Sequence, residues 1–294
     1  MASRQTRAKK DDEPARRKAD AAGRAPGNSG VTEREVEDIE ERTVPRTPVI
    51  YEIVRRLGNE EMARPVNSLW WSGVAAGLSI SFSLLAQAIL RAHLPDETWR
   101  PLVTSFGYSI GFVMAVLSRQ QLFTEITITA VLPVAADVTW GNIVRMARLW
   151  AIVLAANLAG TLFAALFCTF TPILPGDIYS GMLEISRDLL AFGWWEMVFR
   201  AIAAGFLMAA MVWLMPGAEG AQFHVITLMT WLIAVGGFTH IVAGSMESYL
   251  LVFSGEWVWW RMLTDFMVPV LIGNTIGGTA LFALLAYAQV MEEI

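Results

Sequence analysis

Beyond residue 18 the chain has no lysine; Lys9, Lys10 and Lys18 all sit at its amino-terminal end. Cysteine is almost missing too. A single Cys168 inside an apolar segment excludes an intrachain disulfide and a cysteine-based metal site, and reads as a small packing residue. Only three histidines occur, His93, His224 and His240. No nucleophile–base pair and no metal-ligand spacing appears, so no enzyme, cofactor or metal is expected. A net charge of −5 gives no basic surface for nucleic acid. An apolar core of the kind that opens a secretory signal is also missing from the first 40 residues.

Charge as a whole is scarce and unevenly spread. Charged residues make up 17% of the chain, against roughly 25% in average soluble proteins. Residues 1–66 hold 14 of the 22 Lys+Arg and 13 of the 27 Asp+Glu. The remainder is dominated by the 55% of hydrophobic residues. The sequence therefore divides into a charged tail over 1–47, expected to be disordered, an amphipathic interfacial helix over 48–66, and a membrane domain over 67–294. The helix is read from Val49, Ile50, Ile53, Val54 and Leu57 at helical spacing, with Glu52, Arg55 and Arg56 on other faces.

Six apolar segments follow, at 68–92, 102–136, 142–172, 193–215, 222–253 and 265–290. A bilayer core of about 30 Å needs about 20 helical residues, so the second and fifth segments are too long for one straight span. Both carry a polar interruption, QLFTEITIT at Gln121–Thr129 and GGFTHIVAGSM at Gly236–Met246. These are read as two broken spans rather than four full ones. AAGLSI (75–80) resembles AAGFLM (203–208), and NLAGTLFAAL (157–166) resembles NTIGGTALFAL (274–284). LFTEI set against GFTHI completes three collinear matches. An odd number of spans per repeat inverts the second half relative to the first. The expected fold is thus an all-α membrane protein of six transmembrane spans in a 3+3 inverted repeat, with spans two and five broken. Arg55, Arg56 and Arg64 before span one and Arg145 and Arg148 at span three outweigh Arg91, Arg100, Arg187 and Arg261 on the other side, which places the amino terminus in the cytoplasm.

Broken backbone cannot face lipid, so the breaks must be buried in protein or line a cavity. His240 lies in one of them and is the candidate central residue: its ordinary pKa, about 6.5, allows a protonated ring to hold a small anion and a neutral ring to release it. Its alternative role is to tie down the break by hydrogen bonds. Tyr108, Phe112, Leu122, Phe123 and Ile233 are candidate hydrophobic gates or ordinary packing. Aligning Phe123-Thr124-Glu125 with Phe238-Thr239-His240 makes Glu125 and His240 equivalent and predicts that they lie close together. The competing expectation is that Glu125 caps the helix that follows the first break. Glu196 and Arg200 read as a local pair, and His93 and His224 as residues at span ends.

The two breaks, LFT after span 2a and GFxH after span 5a, with Gly273-Asn274 beyond, resemble those of the formate/nitrite transporter family over about residues 66–290. The resemblance implies an aquaporin-like fold without NPA motifs, a homopentamer with one pore per protomer, and a bacterial inner-membrane location with both termini cytoplasmic. It implies a pore narrowed at Leu122, Phe123 and Thr124, a central His240, and constrictions at Tyr108, Phe112 and Ile233. It also implies transport of a small monovalent anion such as formate, nitrite or acetate, by a channel or a proton-linked transporter. The sequence departs from the family pattern at Thr239, where Glu precedes the histidine in well-known members. It departs again at Gly244, where they have Asn, and at Glu125, where Ser or Gly is usual. The vestibule lysine of those members is missing, with Arg187 in the same loop. These departures keep open a channel for a neutral or cationic solute, and a membrane scaffold or sensor acting through the charged tail.

Overall fold

In a computed structural model the described residues are 45–292. The tail expected over 1–47 falls almost wholly outside them. The described part is helical, with no strand among the described residues. Helix α1 (Thr47–Ala63) is followed by α2 (Val66–His93) and α3 (Arg100–Leu117). After a non-helical stretch comes α4 (Phe123–Ala136, with a turn residue at Ala130), then α5 (Trp140–Phe170) and the short α6 (Gly176–Ser186). The second half runs through α7 (Trp194–Leu214), α8 (Gln222–Val235), α9 (Ile241–Phe253) and α10 (Trp259–Val290). Within α10 the helix widens to π-type turns at Met262–Met267 and Ile276–Ala283.

Five of these helices, α2, α3, α5, α7 and α10, are long and apolar enough to cross a membrane. The apolar stretch 222–253 is instead divided between α8 and α9, 14 and 13 residues long. At 1.5 Å per residue each reaches only about 20 Å, short of a bilayer core. Exposed tryptophans cluster at helix starts, with Trp71 in α2, Trp140 in α5, Trp195 in α7 and Trp259 in α10 each more than 60% exposed. Ring systems of this kind favour the level of the headgroups.

Packing follows a pattern that recurs between the halves. Helix α2 lies against α3 and α5, and α7 lies against α8 and α10. Glycine sets the approach in both. A Cβ on Gly77 of α2 would sit 2.2 Å from the Asn157 carbonyl oxygen of α5, and one on Gly205 of α7 would sit 2.3 Å from that of Asn274 in α10. Helix α1 packs Tyr51, Val54, Gly58 and Met62 inward, sharing Val54 with the apolar row read from the sequence. Val49, Ile53 and Leu57 from that row stay exposed. The pairing of Glu196 with Arg200 is present at 2.9 Å.

The glycine contacts yield a direct test. Gly205→Leu overpacks the α7–α10 seam and should lower stability by about 1–3 kcal/mol or more, while Gly141→Ala, with nothing within 4 Å of its Cβ, should change little. Thermal unfolding followed by size-exclusion recovery in detergent measures both, and equal recovery would remove the close approach as a constraint.

Candidate functional site

Each break is tied by an asparagine from a helix that follows it. At the first, Asn157 Oδ1 accepts from Phe123 N–H at 2.9 Å, and its Nδ2 donates to the carbonyls of Gly73 and Gln121 at 2.8 and 2.9 Å. At the second, Asn274 Oδ1 accepts from Ile241 N–H at 2.8 Å, and its Nδ2 donates to the carbonyls of Ala201 and Thr239 at 2.8 and 3.0 Å. Both side chains are fully buried. Each satisfies three backbone groups that would otherwise be stranded away from water.

The backbone within the breaks matches as closely. Arg119 N–H donates to Val116 and Gln120 N–H to Ala115; Gly237 N–H donates to Ala234 and Phe238 N–H to Ile233. Arg119 and Gly237 both have positive φ, 53° and 60°. Glycine adopts that conformation freely and arginine at a cost. All these correspondences set Leu122, not Glu125, against His240. The alignment of LFTEI with GFTHI is therefore out of register by three residues, because the repeated Phe-Thr words fall at different places relative to the turn. Glu125 corresponds to Ala243.

That shift decides the fate of the expected carboxylate–histidine contact. Glu125 Oε1 is buried without a hydrogen-bond partner, and Glu125 neither bonds to His240 nor caps α4. His240, 2% exposed, meets Thr124 instead, with Nε2 2.8 Å from Oγ1. Its Nδ1 accepts the Ala243 N–H at 3.2 Å, which caps α9. An acceptor at Nδ1 assigns the ring proton to Nε2, so the neutral ring donates to the Thr124 hydroxyl. The ring of Phe112 stands edge-on to the imidazole at 5.1 Å, and Tyr108 lies 5.0 Å beyond Phe112. Leu122, Phe123 and Ile233 are fully buried in the same central cluster.

Not every candidate gathers there. Thr239 donates its hydroxyl to the Met197 carbonyl at 3.1 Å, tying α7 to the break. At Gly244, a Cβ would lie 2.5 Å from the Phe266 ring, so a side chain of this chain's own α10 fills the room a larger residue would need. Asn157 and Asn274 were legible only as repeat markers, although a buried asparagine in an apolar helix signals a polar partner. Glu61 went unnoticed. It accepts from Thr129 Oγ1, and from Gln121 Nε2 at 3.4 Å, and its spacing from Gly58 on α1 was the available clue.

Replacing Asn274 tests the tie. Asn274→Leu strands the Ile241 N–H and two carbonyls, each worth about 1–3 kcal/mol when left unpaired, and should unfold well below the native protein. Asn274→Asp keeps the acceptor and should fall between them. Identical thermal midpoints for all three would show that the break holds without it.

Residues 48–288 match the formate/nitrite transporter family. The chain is 41% identical over 261 residues to the inner membrane protein YfdC of Escherichia coli K12, covering 89% of this chain and 84% of that one. It is 24% identical over 250 residues to the formate channel BtFdhC of Bacillus thuringiensis, covering 83% and 95%. Among solved structures, an FNT family ion channel superposes with a TM-score of 0.70 at 20% identity over 83% of this chain and 98% of that one. A pentameric formate channel with formate bound gives 0.67 at 17% identity over 77% and 98%. The extent of these matches, together with the paired breaks and their asparagine ties, leads to one conclusion: the chain is a member of the formate/nitrite transporter family.

Proposed function

We propose that this protein conducts a small monovalent anion of the formate, nitrite or acetate class, or its conjugate acid, across the bacterial inner membrane as a homopentamer with one path per protomer. The observation that carries this reading is the contact between His240 Nε2 and Thr124 Oγ1, where the two breaks meet. Phe112 stands against the ring, and Leu122, Phe123 and Ile233 are buried in the same cluster, all four 0–1% exposed. Two polar groups in an apolar constriction offer hydrogen bonds to a passing ion or acid where water is excluded. Bonds to an ionised acceptor are roughly twice as strong as neutral ones. The Ala243 N–H at Nδ1 means that a second ring proton would break the α9 cap, so His240 acts here as a neutral donor rather than as imidazolium. Formate channels among the relatives and a pentameric formate channel among the structures favour the substrate class and the assembly.

The same reading takes α3 with α4, and α8 with α9, as two broken spans in a six-span 3+3 inverted repeat. It places α1 in the interface and both termini in the cytoplasm. The support is the common register of the two breaks and of the glycine contacts. A second reading, a path for a neutral or cationic solute, is favoured by acidic side chains on either side of the constriction. Glu125 lies near Glu61, and Glu247 of α9 lies near Asp188.

Two measurements test these assignments. With six spans, cysteines placed at Arg100 and Asp137 label from opposite faces, as do those at Glu219 and Glu256; labelling of each pair from one face would require eight crossings. In proteoliposomes, His240→Phe should lower formate or nitrite flux about 10-fold through loss of a hydrogen bond to the passing ion or acid, with pentamers intact. His240→Asn, which keeps a donor, should lose less. Unchanged flux in His240→Phe would leave the histidine as a structural cap.

A further inference from the structure

Between α1, the first break and the end of α7 lies a partly open cavity of about 580 Å³. Its polar lining is unusual in sign. Gln120 Oε1, Gln121 Oε1 and Glu125 Oε1 are buried acceptors with no hydrogen-bond partner. Gln121 is only 6% exposed. The Glu61 carboxylate faces the same space, held by Thr129 Oγ1 and Gln121 Nε2. Three acceptors without a partner in the protein, set with a second carboxylate around one space, make a lining that takes donors, either water or a proton held on a carboxyl.

The charges facing this space come from α1 and from the first break. Helix α1 contributes Glu60, Glu61 and Arg64, and the break contributes Arg119, while α7, the turn after it and α8 contribute Val212, Met215, Pro216 and Gln222 without charge. Arg64 hydrogen-bonds to Ser68 Oγ at 2.9 Å. Among the described residues no basic group lies within ion-pairing distance of Glu125, whose charged neighbour is Glu61. Burial pushes the Glu61 carboxyl above the ordinary carboxylate range, against the opposing pull of its bonds to Thr129 and Gln121 and of the Arg64 charge. Two carboxylates sharing a confined site resist being ionised together, and one retained proton relieves them.

We propose that Glu125 and Glu61 hold a shared proton in this cavity and that Glu125 hands it to the anion on its way to Thr124 and His240. This deepens the anion-transport reading and rests on it. In the step, the O–H bond on Glu125 breaks as an O–H bond forms on the anion, giving the neutral acid and a Glu125 carboxylate. Hydronium from the vestibule then reprotonates the pair. The neutral acid passes Leu122 and Phe123 without carrying charge into an apolar ring. Glu125 follows Thr124, whose hydroxyl accepts from His240 Nε2, so the proton station adjoins the constriction along α4.

Infrared difference spectroscopy on the purified full-length protein tests the station without transport. The native protein should show a carboxylic-acid C=O band that titrates between about pH 4 and pH 10, lost in Glu125→Gln and displaced in Glu61→Gln. Its absence, or its persistence in Glu125→Gln, overturns the proposal whatever the flux does. In proteoliposomes carrying a pH dye, native protein should take up a proton with each formate or nitrite. Glu125→Gln should reduce the proton-to-anion ratio severalfold and flatten the pH profile, and an unchanged ratio overturns the coupling. Should the band behave as expected while no anion moves in native protein, the transport reading fails and the proton site stands. Size exclusion reports whether Glu125→Gln assembles, and Glu61→Gln supplies the same readouts if it does not.

Discussion

A helix interrupted inside an apolar core has nowhere to send its backbone hydrogen bonds, and two buried asparagines resolve that problem here. Asn157 and Asn274 each accept one N–H and donate to two carbonyls. Everything at the centre of the protein depends on these six bonds. They fix where α4 and α9 begin, and so which residues stand at their amino ends: Leu122 at one, His240 at the other. The glycines at 77 and 205 serve the same end, because only a backbone without Cβ lets the asparagine helices come near enough.

Much of this was readable in advance. Long apolar runs interrupted by short polar words marked the breaks, and the Asn-x-x-Gly words marked the helices that tie them. The register was not readable. LFTEI and GFTHI agree in letters but not in geometry, since the turn counts from the positive-φ residue, Arg119 or Gly237, and sequence gives no sign that an arginine occupies that place. The three-residue error carried Glu125 to the wrong neighbour. The inward stripe of α1 was not readable beyond Val54, because it runs through Gly58, whose Cβ position is taken by the Thr129 carbonyl. The widened turns of α10 leave no trace in hydropathy at all.

The departures from the familiar family pattern form a connected set. Gly244 gives its space to Phe266, and Thr239 turns to the Met197 carbonyl, so the surroundings of the histidine are less polar than Glu and Asn at those positions would make them. Polar groups are concentrated instead in the cavity under α1, where Glu61, Gln120, Gln121 and Glu125 converge. On the proposed reading, a tight apolar passage beside an acidic chamber separates two tasks, exclusion of water and handling of protons, that one crowded site would have to combine.

The asparagine ties also impose an order in time. Each break lies 33–34 residues ahead of the side chain that satisfies it. At about 5–20 residues per second, each break is synthesised roughly two to seven seconds before Asn157 or Asn274. On the six-span reading an open break cannot rest in lipid, so each broken span gains its ties only when its following helix arrives, and the two complete their fold together.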